Sequence, residues 1–390
     1  MYEQSFSALG VSVQVDQVLV KQGINKPFPI QELVLPDALA GLDVLAKSPT
    51  GSGKTLAFAI PIVERISRDR RQPAALVLTP TRELAGQVGD EIKPLADARG
   101  LRVAVVFGGA PIGPQAKRAK TAQILVATPG RLQDLVTRGL VSLDQVALLV
   151  LDEADRMLDM GFKPQVERLM QRLPAKRQTM LFSATLDGEV GQLASSYTHD
   201  ASRFETAPLK DHETGQIAHR FISVTTDGKV ERLIEELSAE RGLALVFVRT
   251  KRGADRLAVK LARSDVDALA LHGDMPQNAR QRTLKRFRSG EVSTLVATDV
   301  AARGLDLEAI THVFNFDPPG DDNDYVHRVG RTGRAGRSGH GITFVLPEQQ
   351  ADVSRLAARL GHREQFEREG MSIAPARRVY TSRRGRGSRW

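Results

Sequence analysis

The sequence predicts an α/β protein made of two parallel sheets, each covered by helices on both faces. Three observations carry that prediction. Short, continuous apolar runs rich in β-branched residues recur along the chain, each followed by turn residues and then a helical stretch. Runs without polar alternation mean strands buried on both faces, as a parallel sheet requires. The chain has 390 residues, long for one domain and enough for two separate cores. Finally, the stretch 205–216, "ETAPLKDHETGQ", is polar, aperiodic and carries Pro and Gly, so a linker is expected over 206–216. The domains expected are then 1–205 and 217–360, followed by a helical end and basic tail at 361–390.

The first half supplies strand runs at 75–79, 103–107, 124–127, 147–151 and 179–182. The second supplies runs at 221–225, 243–248, 268–271, 294–297, 312–316 and 342–346. Ligands of open α/β sheets bind outside the carboxyl ends of the strands. Nearly every polar cluster discussed below follows such a run.

Composition narrows the function classes. The absence of cysteine excludes disulfides, thiolate metal sites and cysteine nucleophiles, and suits a reducing cytoplasm. The start, "MYEQSFSALG", has no basic-then-apolar leader, and no apolar run approaches about 18 residues, so neither export nor a membrane span is expected. The net charge of +9 and pI near 9.9 favour a polyanionic partner, nucleic acid first. The last sixteen positions, 375–390, hold six Arg and no acid. With their Gly and Ser they suggest a disordered basic arm.

The stretch "SPTGSGKT", Ser48 to Thr55, lies between "GLDVLAK" and the helical "LAFAIPIVERI". The Gly-rich turn of Thr50, Gly51, Ser52 and Gly53 would let backbone N–H groups approach phosphates, with a helix N-terminus adding positive potential. Lys54 would reach the terminal phosphates and the Thr55 hydroxyl would ligate Mg²⁺. A plain Gly-Ser turn before a helix is the alternative. Such a loop needs a distant acid for its metal, and "LLVLDEADRM" (148–157) offers three at a strand end. Asp152 fits the metal. Glu153 could orient or deprotonate an attacking water. An acidic loop, or Asp152 as a helix N-cap, is the plainer reading.

Gln31, in "PFPIQ", carries a donor and an acceptor that can pair with adenine N6 and N7, although an exposed helix-start Gln is the simpler assignment. The run "YVHRVGRTGRAGR" (325–337) places Arg at 328, 331, 334 and 337. An Arg can stabilise charge on a transferring phosphoryl group, worth several powers of ten in rate. If Arg331 and Arg334 act so, the nucleotide must sit between two lobes.

The ordered set "SPTGSGKT", "PTRELA" (80–85), "TPGR" (128–131), "DEAD" (152–155), "SAT" (183–185), "TLVATDVAARGLD" (294–306) and "HRVGRTGR" (327–334) resembles the DEAD-box RNA helicases. The resemblance runs from about Phe6 to Leu346. It implies two RecA-like lobes, ATP and Mg²⁺ in the cleft, and RNA across both lobes. By resemblance, Lys54 and Thr55 contact phosphate and metal, Asp152 is the metal-side acid and Glu153 the base for water. Asp155 matches the residue bonded to Ser183 and Thr185, coupling the two sites. Asp306 matches a nucleotide sensor, and Arg331 and Arg334 the arginine fingers. For RNA the resemblance points to Pro80, Thr81, Arg82, Gly109, Thr128, Gly130 and Arg131, then to Arg249, Gly273, Thr298 and Asp299.

Two departures stand out. The family's adenine motif has an aromatic after its Gly, and "GINKPFPIQ" has Ile24 there and Phe28 in place of the usual Thr; Gln31 and the upstream Phe6 remain. Ser48 and Pro49 replace the commoner Ala and Gln of the phosphate loop.

The activity implied is RNA-stimulated ATP hydrolysis coupled to local duplex unwinding or ribonucleoprotein remodelling. Contacts would fall mostly on the RNA backbone, with little sequence specificity. A monomer is expected, in the cytoplasm and off the membrane, with ribosomal or RNA-decay proteins as candidate partners. A DNA translocase and an ATP-gated RNA clamp remain as rivals. His272 is expected in a backbone turn and "RQRTLKRFR" (280–288) on a solvated helix face. The helical segment after Leu346 could cap the second lobe or bind a partner.

Overall fold

The computed structural model describes residues 5–48, 52–70, 72–206, 216–239, 241–302, 309–333 and 337–375. Thr50, Gly51, Asp306, Arg334, most of the expected linker and the basic tail from residue 376 lie outside the described residues. The chain divides into two compact units on either side of the linker.

The N-terminal unit holds β1 (Val44–Lys47), β2 (Ala75–Leu78), β3 (Val103–Val106), β4 (Ile124–Ala127), β5 (Leu148–Asp152), β6 (Gln178–Ser183) and β7 (Ser202–Glu205). They form one sheet in the order β3-β4-β2-β5-β6-β1-β7, every neighbouring pair parallel. Alternate residues of each strand feed opposite faces. Leu148 and Val150 join a core with Phe58, Ile60 and Ile92. Leu149 and Leu151 join a second core with Leu132, Leu135 and Leu169 on the other face. That two-sided burial is why the strand is apolar without alternation. Five strands lie on the expected runs. β1 and β7 were not expected: β1, "VLAK", offers only three apolar residues before a Lys, and β7, "SRFE", is a half-exposed edge strand whose polar alternation gives no buried signal.

The C-terminal unit holds β8 (Ile217–Ser223), β9 (Leu243–Phe247), β10 (Ala268–Leu271), β11 (Thr294–Ala297), β12 (Ile310–Asn315) and β13 (Gly339–Val345). Their order is β10-β11-β9-β12-β13-β8, again all parallel. All six overlap the expected runs, but β8 begins four residues early because its first half, "IAHR", is a partly exposed edge. The helices Gln350–Arg359 and Arg363–Glu367 bury Val353, Leu356 and Phe366 against Phe221, Tyr325 and Val345. The segment after Leu346 therefore caps this unit. Among the described residues no helix is long and apolar enough to cross a membrane.

Candidate nucleotide and nucleic-acid sites

In the N-terminal sheet β5, β6 and β1 are neighbours, and their carboxyl ends carry the acids, the "SAT" stretch and the phosphate loop. The register pairs Lys47 with Ser183 and Asp152 with Phe182, so the three ends lie level. Ser48 N donates to Ser183 O at 3.0 Å.

The helix Lys54–Arg65 begins after Gly53, whose φ of +84° favours glycine. A Cβ there would lie 2.6 Å from Gln31 Nε2 and 2.7 Å from the Phe28 ring. Lys54 is buried and its Nζ donates to Ser48 O at 2.9 Å. The Ser48 and Ser52 hydroxyls are bonded to each other. Thr55 follows in the first helical turn. Gln31 is fully buried rather than an exposed helix-start residue. Its Oε1 accepts from Phe28 N and its Nε2 donates to Gly53 O, both at 2.9 Å. Phe6 is also buried, within the apolar core, and Ile24 packs against that core. Phe28, by contrast, is 45% exposed beside Gly53.

Glu153 takes a left-handed conformation (φ 52°, ψ 52°) as N-cap of the helix Ala154–Asp159. For a residue with a Cβ this costs on the order of 1–3 kcal/mol, and such strain clusters at functional sites. Arg156 Nη1 donates to Glu153 Oε2 at 2.7 Å, with both side chains buried. The sequence reading did not single out Arg156; a base three residues after an acid at a helix start was the available signal. Asp152 is 3% exposed and its Oδ1 has no hydrogen-bond partner. Burial pushes its carboxyl up to about 7, with Lys54 opposing and Glu153 adding to the shift. A buried carboxylate oxygen with nothing to bond fits a cation ligand. Among the described residues no cluster of three or more His, Asp or Glu could hold a metal alone, so a cation here would also need substrate oxygens.

Asp155 does meet the "SAT" stretch. Its backbone N donates to Ser183 Oγ at 3.3 Å, and its Oδ2 accepts from Ala184 N at 3.2 Å. Ser183 Oγ also accepts from Thr185 N at 3.4 Å. Asp155 thus bonds Ser183 through its backbone and Ala184 through its carboxylate, and Thr185 joins the network through Ser183.

The other half of the same edge carries the residues assigned to RNA. β3, β4 and β2 are neighbours, ending at Gly109, at Thr128–Arg131 and at Pro80–Arg82. Thr81 caps the helix Arg82–Ala98, accepting from Leu84 N at 3.2 Å. The Arg82 guanidinium covers Gly109, where φ is +81° and any Cβ would collide with it. Arg131 Nη1 donates to Ala110 O at 2.9 Å. Thr128 N donates to Val106 O at 3.1 Å, and the Gly130 position opens onto free space.

In the C-terminal unit β10, β11 and β9 are neighbours and end at Gly273, at Thr298–Asp299 and at Arg249. Thr298 N donates to Leu271 O at 3.3 Å, and Arg249 N to Asp317 Oδ2 at 2.8 Å. Arg328, unassigned in the sequence reading, is the hub. Its Nε and Nη2 bind both Asp299 oxygens at 2.5 and 2.7 Å, while Nη1 reaches Asn315 Oδ1 and Asp317 O. Asp299 is therefore held by an arginine fork. Arg331 is buried, its Nε donating to His327 O at 3.2 Å. The 280–288 helix is not merely a solvated face: Arg280, Leu284 and Phe287 are buried, and Arg280 Nη2 donates to Ala301 O at 2.6 Å. His272 pairs with Asp255 at 2.9 Å.

Residues 28–193 match the family model described as DEAD/DEAH box helicase, and residues 228–336 match the helicase conserved C-terminal domain. The chain is 42% identical to the ATP-dependent RNA helicase CshA of Limosilactobacillus reuteri, over 88% of this chain and 69% of that protein. It belongs to the DEAD-box helicase family. This DEAD-box chain spans 66–74% of the length of the CshA proteins it matches. Its fold is similar to that of S. cerevisiae Dbp5 bound to RNA and ADP BeF3, with 30% identity, 95% coverage of each chain and a TM-score of 0.81. It is also similar to Mss116p bound to ssRNA and AMP-PNP, with 28% identity, coverage of 91% and 77%, and a TM-score of 0.80.

Proposed function

We propose that this DEAD-box protein is an ATP-dependent RNA helicase, in which RNA-stimulated ATP hydrolysis drives local strand separation or ribonucleoprotein remodelling. One observation carries the reading. A buried, unpartnered Asp152 oxygen sits on the same sheet edge as the phosphate loop, level with Glu153 and the "SAT" stretch.

The triphosphate would lie over the amino end of the helix Lys54–Arg65, where free backbone N–H groups favour anions. Lys54, whose Nζ donates to Ser48 O, would reach the phosphate oxygens. Thr55 and Asp152 would hold Mg²⁺, which supplies charge neutralisation to the phosphoryl oxygens. Glu153 would orient the attacking water and take its proton. Arg156 holds that carboxylate in place through their 2.7 Å pair. Gln31, whose amide bonds Phe28 N and Gly53 O, would have to exchange one of these bonds for the base, and Phe28 offers the exposed aromatic face that Phe6 and Ile24 do not. Arg331 and Arg334 would stabilise the phosphoryl group in transit. RNA phosphates would meet Arg82 and Arg131 in one unit and Arg249 in the other. Asp155, through Ala184, would report the state of the phosphate site to the RNA side.

The relatives named as RNA helicases and the RNA-bound structural neighbours support RNA over DNA. The direct test compares ATP hydrolysis with no nucleic acid, with single-stranded RNA and with DNA of matched sequence. Stimulation by RNA alone is expected; equal or greater stimulation by DNA would support a translocase on the other strand.

A further inference from the structure

The C-terminal unit contains a cavity of about 1020 Å³ that shares only Arg249 with the sites assigned above. It lies between Arg249, the loop Pro318–Gly320 and the helix Gln350–Arg359. β9 and β12 are adjacent, and the chain reverses its direction of travel across the sheet between them. The cavity therefore opens at the carboxyl ends of two strands at a topological switch point, where α/β sheets hold ligands. The capping helix has two functional faces. Val353 and Leu356 bury into the core and also floor the cavity, while Arg355 and Arg359, with Arg363 just beyond, supply its charged wall.

Four guanidinium groups (Arg249, Arg355, Arg359 and Arg363) face two lining carboxylates, Glu348 and Asp352. Arg355 pairs with Asp352, Arg359 holds both oxygens of Asp322 at 2.7 Å and Arg363 pairs with Glu367; the Arg359 and Arg363 side chains are 56% and 65% exposed. An exposed single-bond pair such as Arg363–Glu367 contributes about 0–1 kcal/mol, so a phosphate can displace that carboxylate at little cost, whereas at Arg359 it must compete with a two-bond fork. The cavity is also continuous with Arg249, which the reading above places on RNA.

We propose that this cavity is a second RNA-backbone site, taking phosphates of the same strand next to those held at the β9 end. The proposal rests on the RNA reading of the core. It predicts a dependence on RNA length that the core alone does not have.

The test uses the full chain and a series of single-stranded RNAs of increasing length, with apparent affinity read from stimulation of ATP hydrolysis at several salt concentrations. In the triple variant R355Q/R359Q/R363Q, three lost phosphate contacts should lower the slope of log K against log salt by roughly 2 on long RNA. Between 50 and 200 mM salt the wild type should then lose roughly tenfold to twentyfold more affinity than the variant. On RNA too short to leave the core sites, the two proteins should agree, as should their kcat at saturating RNA. Ala358→Trp, which fills the cavity without changing charge, should weaken long RNA selectively as well. Wild-type behaviour of both variants at every length overturns the proposal. So does an equal loss at every length, which would mark the arginines as supports of the unit. A wild type indifferent to RNA would instead overturn the reading on which the proposal rests.

Discussion

Arg328→Ala gives the sharpest test of how the second unit is assembled. Arg328 is 4% exposed, lies 5.0 Å from the Phe247 ring centre and makes four hydrogen bonds, two of them to Asp299. Its removal strands the Asp299 carboxylate, whose side chain is only 25% exposed, and leaves Asn315 Oδ1 and Asp317 O without their donor. Breaking a buried pair by deleting one partner costs about 3–5 kcal/mol. Partial exposure of Asp299 argues for about 3 kcal/mol. For a unit of this size that corresponds to a fall in Tm of about 6–12 °C, read by calorimetry of the full chain. Most of the loss is the stranded charge, so Asp299→Asn added to Arg328→Ala should recover part of it. Arg328→Lys should fall between, because an ammonium cannot reproduce the fork. A Tm change below about 2 °C, or no recovery in the double variant, would refute the reasoning.

Other predictions concern the N-terminal unit and the tail. Phe28→Ala should raise the KM for ATP about threefold to tenfold with little change in kcat, the loss of one aromatic stacking contact, measured under saturating RNA. Ser183→Ala combined with Thr185→Ala should lower unwinding more than ATP hydrolysis; equal losses in the two assays would remove the coupling role. Deleting residues 375–390 should leave kcat at saturating RNA unchanged and flatten the RNA salt slope by roughly 2–3, as three or four lost phosphate contacts require.

Both sheets were legible because their strands are buried on two faces and so carry unbroken apolar runs. β7 escaped because an edge strand with one exposed face reads as polar alternation over only four residues. The phosphate loop and the acids were legible as residue types at strand ends. Their electrostatics were not, since the orphaned Asp152 oxygen and the Glu153–Arg156 pair depend on burial that the residue order does not contain. Gln31 looked like a surface residue because its two bonds run to Phe28 N and to Gly53 O, twenty-two positions away. The Asp299 ion pair was not legible because its partner, Arg328, lies 29 residues on, inside a run where every third residue is Arg. For Gln31 and Asp299 the missing term was a partner distant in sequence.

The central claim is that Glu153 serves the attacking water while Asp152 serves the metal. The measurement that tests it is single-turnover hydrolysis by Glu153→Gln, set beside equilibrium binding of ATP and RNA. Gln keeps an oxygen for Arg156 and leaves Asp152 untouched, so binding should persist. Hydrolysis should fall by about 10²–10⁴, the usual effect of removing a general base, and RNA should stay trapped with the nucleotide. Turnover within about threefold of wild type would contradict the assignment, and so would loss of ATP binding in parallel with hydrolysis.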